Sequence, residues 1–251
     1  MIKEINTSFD KHLFAGKTVI VVGASGGLGM AMARGFAQLG ANVIGTGTSA
    51  AKNAAAQDDP ANAGIRFALL DSRDNEAGKA FMAALPAIDV LVNAQGVARP
   101  GAEWEEETFL DVMDVNLNSP FRLAMAAMPQ LVAAQGAVVN VASMLSYLAD
   151  AAVPSYTASK TGIVGLTRAL AHRYGASGVR INAVAPGYHR TDMTRELWED
   201  PVAEARIAER SALKRWGTTD DIVGAVIFLC SPAAAFITGV TLPVDGGYHS
   251  G

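Results

Sequence analysis

The run Lys17-Thr18-Val19-Ile20-Val21-Val22, followed by Gly23-Ala24-Ser25-Gly26-Gly27-Leu28-Gly29, decides the fold. Its first half is dominated by β-branched apolar residues, as a buried strand requires. The glycines end that strand, and Met30 to Leu39 then carries a helical pattern closed by Gly40. Strand, glycine turn and helix in this order open a dinucleotide-binding βαβ unit. The glycines allow a tight turn, and they let a pyrophosphate approach backbone N–H groups at the helix start. A plain turn is the alternative for the glycines taken alone.

The alternation continues down the chain. Ala41–Gly45 reads as a second strand and Ile65–Leu70 as a third, the latter followed by Asp71 and Ser72. Asp74–Leu85 is helical, and Ile88–Val92 is a strand that leads into Asn93-Ala94-Gln95-Gly96. Helical stretches over Glu105–Val115 and Pro120–Ala134 enclose Asp114-Val115-Asn116-Leu117. Gly136–Val141 is a fifth strand, Pro154–Tyr174 a helix, and Val179–Val184 a sixth strand ended by Pro186-Gly187. Asp220–Leu229 and Thr241–Val244 supply a last helix and strand. No proline- or serine-rich linker interrupts them. The pattern predicts an α/β chain with a single doubly wound parallel sheet flanked by helices, one domain over residues 1–251 with 1–15 as an N-terminal extension. Residues 188–216 form a long charged connection with two short helices, which suits a lid over a substrate.

Ligands of such sheets bind beyond the carboxyl ends of the strands. The glycine turn, Asp71, Asn93, Ser143 and Pro186-Gly187 all follow strands and therefore share one edge. The helix at 154–174 brings Tyr156 and Lys160 to the same edge, four residues apart and so on one face. An ammonium beside a phenol favours the phenolate, which predicts a Tyr156 pKa below the usual value of about 10. Ser143, thirteen residues upstream of Tyr156, is placed to hold an oxygen next to the phenol. A core tyrosine beside a solvated lysine is the plainer reading of the pair in isolation.

The totals narrow the function. Half of the 251 residues are hydrophobic and 18% are charged, enough for a sizeable core. A formal net charge of −4 leaves no basic footprint for nucleic acid. No run approaches the length of a membrane span, and the N-terminus lacks an apolar signal core. The lone Cys230 allows no internal disulfide. A cytoplasmic protein with a small-molecule substrate, and with neither membrane nor nucleic acid as partner, is expected. The four histidines show no metal-ligand spacing, so no metal is expected.

Taken together, these motifs resemble the short-chain dehydrogenase/reductase family over nearly all of the chain, from Lys17 to Tyr248. Gly23, Gly27 and Gly29 match its glycine motif, and Asn116, Ser143, Tyr156 and Lys160 match its catalytic tetrad in type, order and spacing. The resemblance implies a Rossmann-type fold and hydride exchange between a nicotinamide cofactor and a secondary alcohol or ketone. It places Tyr156 as acid/base, Ser143 on the substrate oxygen, Lys160 on the nicotinamide ribose, and Asn116 on a water linking Lys160 to solvent. The cofactor would contact Gly23, Ser25, Gly26, Gly27, Leu28, Gly29, Thr48, Asp71, Ser72, Asn93, Tyr156, Lys160, Pro186, Gly187, His189 and Thr191. Two departures stand out: Val22 replaces the usual threonine, and Asn93-Ala94-Gln95-Gly96 replaces Asn-Asn-Ala-Gly. Family members are commonly homotetramers.

Ser143 to Tyr147, Val153 to Lys160 and Lys214-Arg215-Trp216-Gly217 resemble the branch acting on sugar acids of the 2-dehydro-3-deoxygluconate and gluconate type. Gly45 to Ser49 instead resembles the reductases of 3-oxoacyl groups on carrier protein, which use NADPH. The end of the second strand carries neither acid nor base, and Thr48 and Ser49 could bond a 2′-phosphate, although Ser49 serves equally as a helix cap. The cofactor is therefore NAD(H) or NADP(H), with the balance toward NADP(H). For the substrate, Arg99 and Arg190 could reach a carboxylate, as could His189 and Arg195, and Met144, Leu145 and Trp198 could wall the pocket. A solvated charge or core packing is the plainer role of each. Two competing readings are a 3-oxoacyl-carrier-protein reductase and a non-catalytic cofactor-binding regulatory protein.

Overall fold

The structure, a computed structural model, describes residues 8–251; the part of the expected N-terminal extension at 1–7 lies outside the described residues. Among the described residues, seven strands form one sheet: β1 (Thr18–Val22), β2 (Asn42–Gly47), β3 (Ile65–Leu69), β4 (Val90–Asn93), β5 (Ala137–Val141), β6 (Arg180–Pro186) and β7 (Thr241–Val244). Their spatial order is β3-β2-β1-β4-β5-β6-β7, and every pair is parallel. Parallel neighbours need crossovers, and helices supply them. These are α1 (Gly27–Gln38), α2 (Ala50–Asp58), α3 (Asn75–Ala83), α4 (Glu106–Met113), α5 (Ser119–Ala134), α6 (Pro154–Tyr174), α7 (Arg195–Glu199), α8 (Pro201–Arg210) and α9 (Val223–Cys230).

The central strands read as unbroken apolar runs because both faces are covered. On one face Val19 and Val21 pack with Met32 and Phe36 of α1 and Val226 of α9. On the other, Ile20 and Leu91 pack with Met82 of α3 and Leu123 and Leu131 of α5. All ten are buried. The chain runs outward through β1, β2 and β3, then returns over the sheet to place β4 on the other side of β1. That reversal opens a crevice between β1 and β4 at their carboxyl ends.

Three differences from the sequence reading bear on the site. First, α1 begins at Gly27, inside the glycine run and not at Met30. Second, α4 and α5 are joined without a break by a wide π-helical turn over Asp114–Asn118. Third, β6 continues to Pro186, beyond the end of β5, where a proline withholds no ladder donor from that neighbour. Ser49 takes the plainer of its two roles: its hydroxyl accepts from the Lys52 N–H and caps α2.

Candidate active site

A cleft of about 750 Å3 opens at the topological reversal, within the range of small-molecule sites. Its floor is the turn after β1. Gly23 has φ +80°, and a Cβ there would lie 2.8 Å from the Gln95 backbone. A Cβ on Gly29 would lie 2.2 Å from the Gly23 carbonyl oxygen. The turn itself demands these two glycines. Gly26 differs, for its backbone is extended and nothing lies within 4 Å of a Cβ built there. No side chain caps α1 and no acid sits in its first turn. The helix start is therefore open to an anion, and this cradle fits the pyrophosphate of a dinucleotide.

Gly23, Ser25, Gly26, Gly27, Leu28 and Gly29 line the cleft, and Thr48, Asp71 and Ser72 line its far end. Asp71 pairs with Arg73 at 2.7 Å, which holds its carboxyl below the usual range. The substituted Gln95 also lines the cleft and donates to the Ser119 hydroxyl at 3.0 Å.

At the other end stands Lys160, only 3% exposed. Its ammonium donates to the Val141 carbonyl at 2.7 Å, and burial pushes its pKa down to about 8. Gly96 leaves it room, since a Cβ there would be 3.3 Å from Nζ. Lys160 Nζ sits 5.6 Å from the centre of the Tyr156 ring. Tyr156 and Ser143 lie next to this wall rather than in it. The expected lowering of the Tyr156 pKa is not what the structure gives. Burial raises it, a hydrogen bond from the Ser143 side chain opposes the rise, and the Glu103 charge adds to it. Lys160, turned to Val141, does not outweigh the loss of solvent around the phenol.

Several expected site residues stand elsewhere. The Asn93 side chain is turned into the sheet, where it donates to Asn140 at 2.9 Å; Asn140 in turn donates to Thr167 on α6 at 3.0 Å. That chain of amides ties α6 to β4 and β5, and the cleft wall passes to Ala94, Gln95 and Gly96. Asn116, in the π-helical turn, accepts from Val97 N–H at 2.8 Å and donates to the Val97 carbonyl at 2.9 Å and to Ser159 at 3.2 Å. With both amide hydrogens and one oxygen lone pair engaged, the Asn116 side chain braces the wall after β4.

The loop after β6 meets the cleft through Thr191, not through Pro186, Gly187 or His189. Gly187 is packed on Asp245, and the buried His189 imidazole is bonded to the Gly187 carbonyl at 3.1 Å and lies against Gly217. Burial holds that imidazole below its usual pKa. Arg99 lines the cleft. Arg190 instead pairs with Glu204 at 2.9 Å and lines a separate cavity of about 280 Å3. Arg195 pairs with Asp192 and Glu199. Met144 is buried in the turn after Ser143, and the exposed Met193 takes the place in the wall expected of it. Trp198 donates to the Thr191 carbonyl at 3.0 Å and so pins that loop.

The sequence reading missed Glu103 and Lys52. Lys52 lines the cleft beside Thr48. Glu103 is fully buried against the start of α6. In the sequence it precedes the acidic run Glu105-Glu106-Glu107, and only its place between Ala102 and Trp104 sets it apart. Among the described residues, no cluster of histidine, cysteine or acids is placed to hold a metal, and no helix is long and apolar enough to cross a membrane.

Comparison with known proteins adds to this geometry. A family model described as enoyl-(acyl carrier protein) reductase matches residues 23–249. The 2-dehydro-3-deoxy-D-gluconate 5-dehydrogenase of Escherichia coli is 37% identical over 243 residues, covering 93% of this chain and 95% of that protein. The 3-oxoacyl-acyl-carrier-protein reductase of Vibrio cholerae is 38% identical over 241 residues, covering 93% and 98%. A gluconate 5-dehydrogenase from Burkholderia cenocepacia, solved in complex with NADP and tartrate, has a TM-score of 0.89 at 31% identity, covering 96% of this chain and 98% of its own.

Proposed function

The chain belongs to the short-chain dehydrogenase/reductase family, and on that premise we propose that it exchanges hydride between NADP(H) and a secondary alcohol or ketone of a sugar acid, of the gluconate or 2-dehydro-3-deoxygluconate type. One observation carries the reading: a single cleft joins an anion-accepting glycine cradle to Lys160, with Tyr156 and Ser143 beside it and Arg99 on its wall.

Nicotinamide, when bound, supplies or takes the hydride. The chain's own groups manage the proton and the charge. Burial keeps Tyr156 protonated, which suits it to donate to the forming alkoxide in reduction; in oxidation it takes the hydroxyl proton. Ser143 bonds the substrate oxygen where charge grows. Lys160, held meanwhile by the Val141 carbonyl, turns to ribose hydroxyls. Arg99 is half exposed and only loosely paired, 4.0 Å from Asp111. It is therefore free to fork onto a substrate carboxylate.

NADP(H) is preferred because β2 ends in Thr46-Gly47-Thr48, with no acid to repel a 2′-phosphate, and because Lys52 stands beside Thr48. Replacing Lys52 by alanine weakens NADPH on the order of tenfold, as the loss of one exposed charge-assisted contact does, and leaves NADH unchanged. Fluorescence titration with both cofactors checks this, and equal losses would reject Lys52 as the phosphate partner.

Reduction of a 3-oxoacyl thioester is the second reading, and the Vibrio relative favours it. An acidic carrier needs unmatched cations at the mouth of the site. Here Arg73 is engaged by Asp71 and Asp111, Arg190 by Glu204, and Arg195 by Asp192 and Glu199, which leaves only Arg99 and Lys52 beside Lys160 as cations of the cleft among the described residues. A panel of hexonates, deoxyketohexonates and a 3-oxoacyl thioester decides between them. Higher kcat/KM on the thioester would overturn the sugar-acid reading.

A further inference from the structure

We propose that Glu103 is a positioning residue for this reaction, whose buried carboxylate caps the helix carrying Tyr156 through the Tyr156 backbone N–H and ties that helix start to the Arg99 wall of the cleft. The proposal rests on the reading of Tyr156 as the proton donor and acceptor.

The first turn of α6 lacks its own cap: Val153 offers no side-chain acceptor, and no acid lies in the turn. Glu103 supplies both from another segment. Its Oε2 accepts from the Ser155 hydroxyl at 2.7 Å and from the Tyr156 backbone N–H at 2.8 Å. Its Oε1 accepts from the Arg99 N–H at 2.8 Å. Two further bonds clasp the same loop to the segment before α6: Gly101 N–H donates to the Ala152 carbonyl at 2.9 Å, and the Trp104 indole donates to the Ala151 carbonyl at 2.9 Å.

Burying a carboxylate is costly unless donors surround it, and a helix N-terminus is the place where it costs least. Glu103 has three such donors and, among the described residues, no cation partner within ion-pair distance. A neutral cap would serve the helix alone. A charged one also acts on the phenol, and it opposes formation of the phenolate. The other groups around Tyr156 do not duplicate this. Lys160 comes from the same helix, and Ser143 does not titrate. Asp111 on α4 and Asp114 in the π-helical turn are taken up by Arg73 and Arg122. Asp150 accepts from its own turn at Ala152.

The test is Glu103→Gln in the full-length protein, with Glu103→Asp, Ser155→Ala and Tyr156→Phe alongside. A carboxamide keeps the shape but has one acceptor oxygen where Glu103 uses two. Whichever way it turns, one backbone N–H, of Arg99 or Tyr156, loses its partner. In Glu103→Gln, kcat falls on the order of tenfold or more, as displaced acid/base groups do, while cofactor affinity holds. The pH profile of oxidation moves toward lower pH, because the charge opposing the phenolate is gone. Glu103→Asp keeps the charge and restores the wild-type position of the profile even where its kcat is reduced. Ser155→Ala loses one bond and leaves the profile in place. An unmoved profile in Glu103→Gln overturns the proposal, whatever its kcat. If Tyr156→Phe is inactive and Glu103→Gln behaves as wild type, the Glu103 proposal falls alone; if Tyr156→Phe keeps its activity, the premise falls and takes the proposal with it.

Discussion

Tyr156→Phe lowers turnover by about 10²- to 10⁴-fold, the range expected for loss of a positioned acid/base group. Cofactor binding is retained, because the cradle at Gly23–Gly29 and the amide chain from Asn93 through Asn140 to Thr167 are untouched by the change. The ring itself stays, so packing around it is preserved. Wild-type enzyme also has a characteristic pH response. Burial raises the Tyr156 pKa above its ordinary value, so the phenol is neutral through physiological pH. Reduction, which needs that proton, is flat through neutrality and falls only in the alkaline range. Oxidation, which needs the phenolate, rises with pH over the same interval. Lys160, pushed down to about 8 by burial, loses its charge on the way and adds its own step to the profile. The phenylalanine variant keeps no alkaline rise from a phenol. Steady-state rates in both directions against pH, with cofactor titrations, decide the matter. A variant within about threefold of wild-type kcat would sink the assignment of Tyr156.

Much of this arrangement is legible in the sequence. The order of strands and helices follows from runs such as Val19-Ile20-Val21-Val22, which only a sheet covered on both faces can bury. Tyr156 and Lys160 share a helix face by spacing alone. What periodicity cannot carry is where a long side chain turns. Arg99 and Arg190 are alike in sequence, yet one lines the cleft and the other is drawn to Glu204 on α8. Asn93 sits at a strand end and Asn116 in the turn between two helices, but their amides are captured by Asn140 and Val97. The direction of the Tyr156 pKa departs from the sequence expectation for the same reason: the pair spacing names the cation, whereas the burial that outweighs it comes from the tertiary structure. Glu103 escapes the sequence reading because two of its three donors lie 52 and 53 residues away.

Gly29→Ala and Gly26→Ala separate the two reasons for the glycine turn. At Gly29 a Cβ would lie 2.2 Å from the Gly23 carbonyl oxygen and 3.2 Å from the Ala24 Cα, both backbone atoms. Neither atom can step aside without moving the end of β1 or the start of α1. Overpacking of that kind costs about 3 kcal/mol, the upper part of its usual range, and the thermal midpoint falls with it. Cofactor affinity falls as well, since the shifted atoms are those that shape the cradle. At Gly26 the backbone is extended, with φ 175°, a conformation open to any residue, and nothing lies within 4 Å of the added methyl. The ligand-free fold gives no reason for glycine there. Gly26→Ala therefore leaves the melting temperature in place but weakens cofactor binding, because the methyl takes the space a pyrophosphate needs over the helix start. Melting curves with and without NADPH measure both effects. A Gly26→Ala variant with full cofactor affinity would mean that the anion does not lie over this turn, and the cleft would need a different occupant.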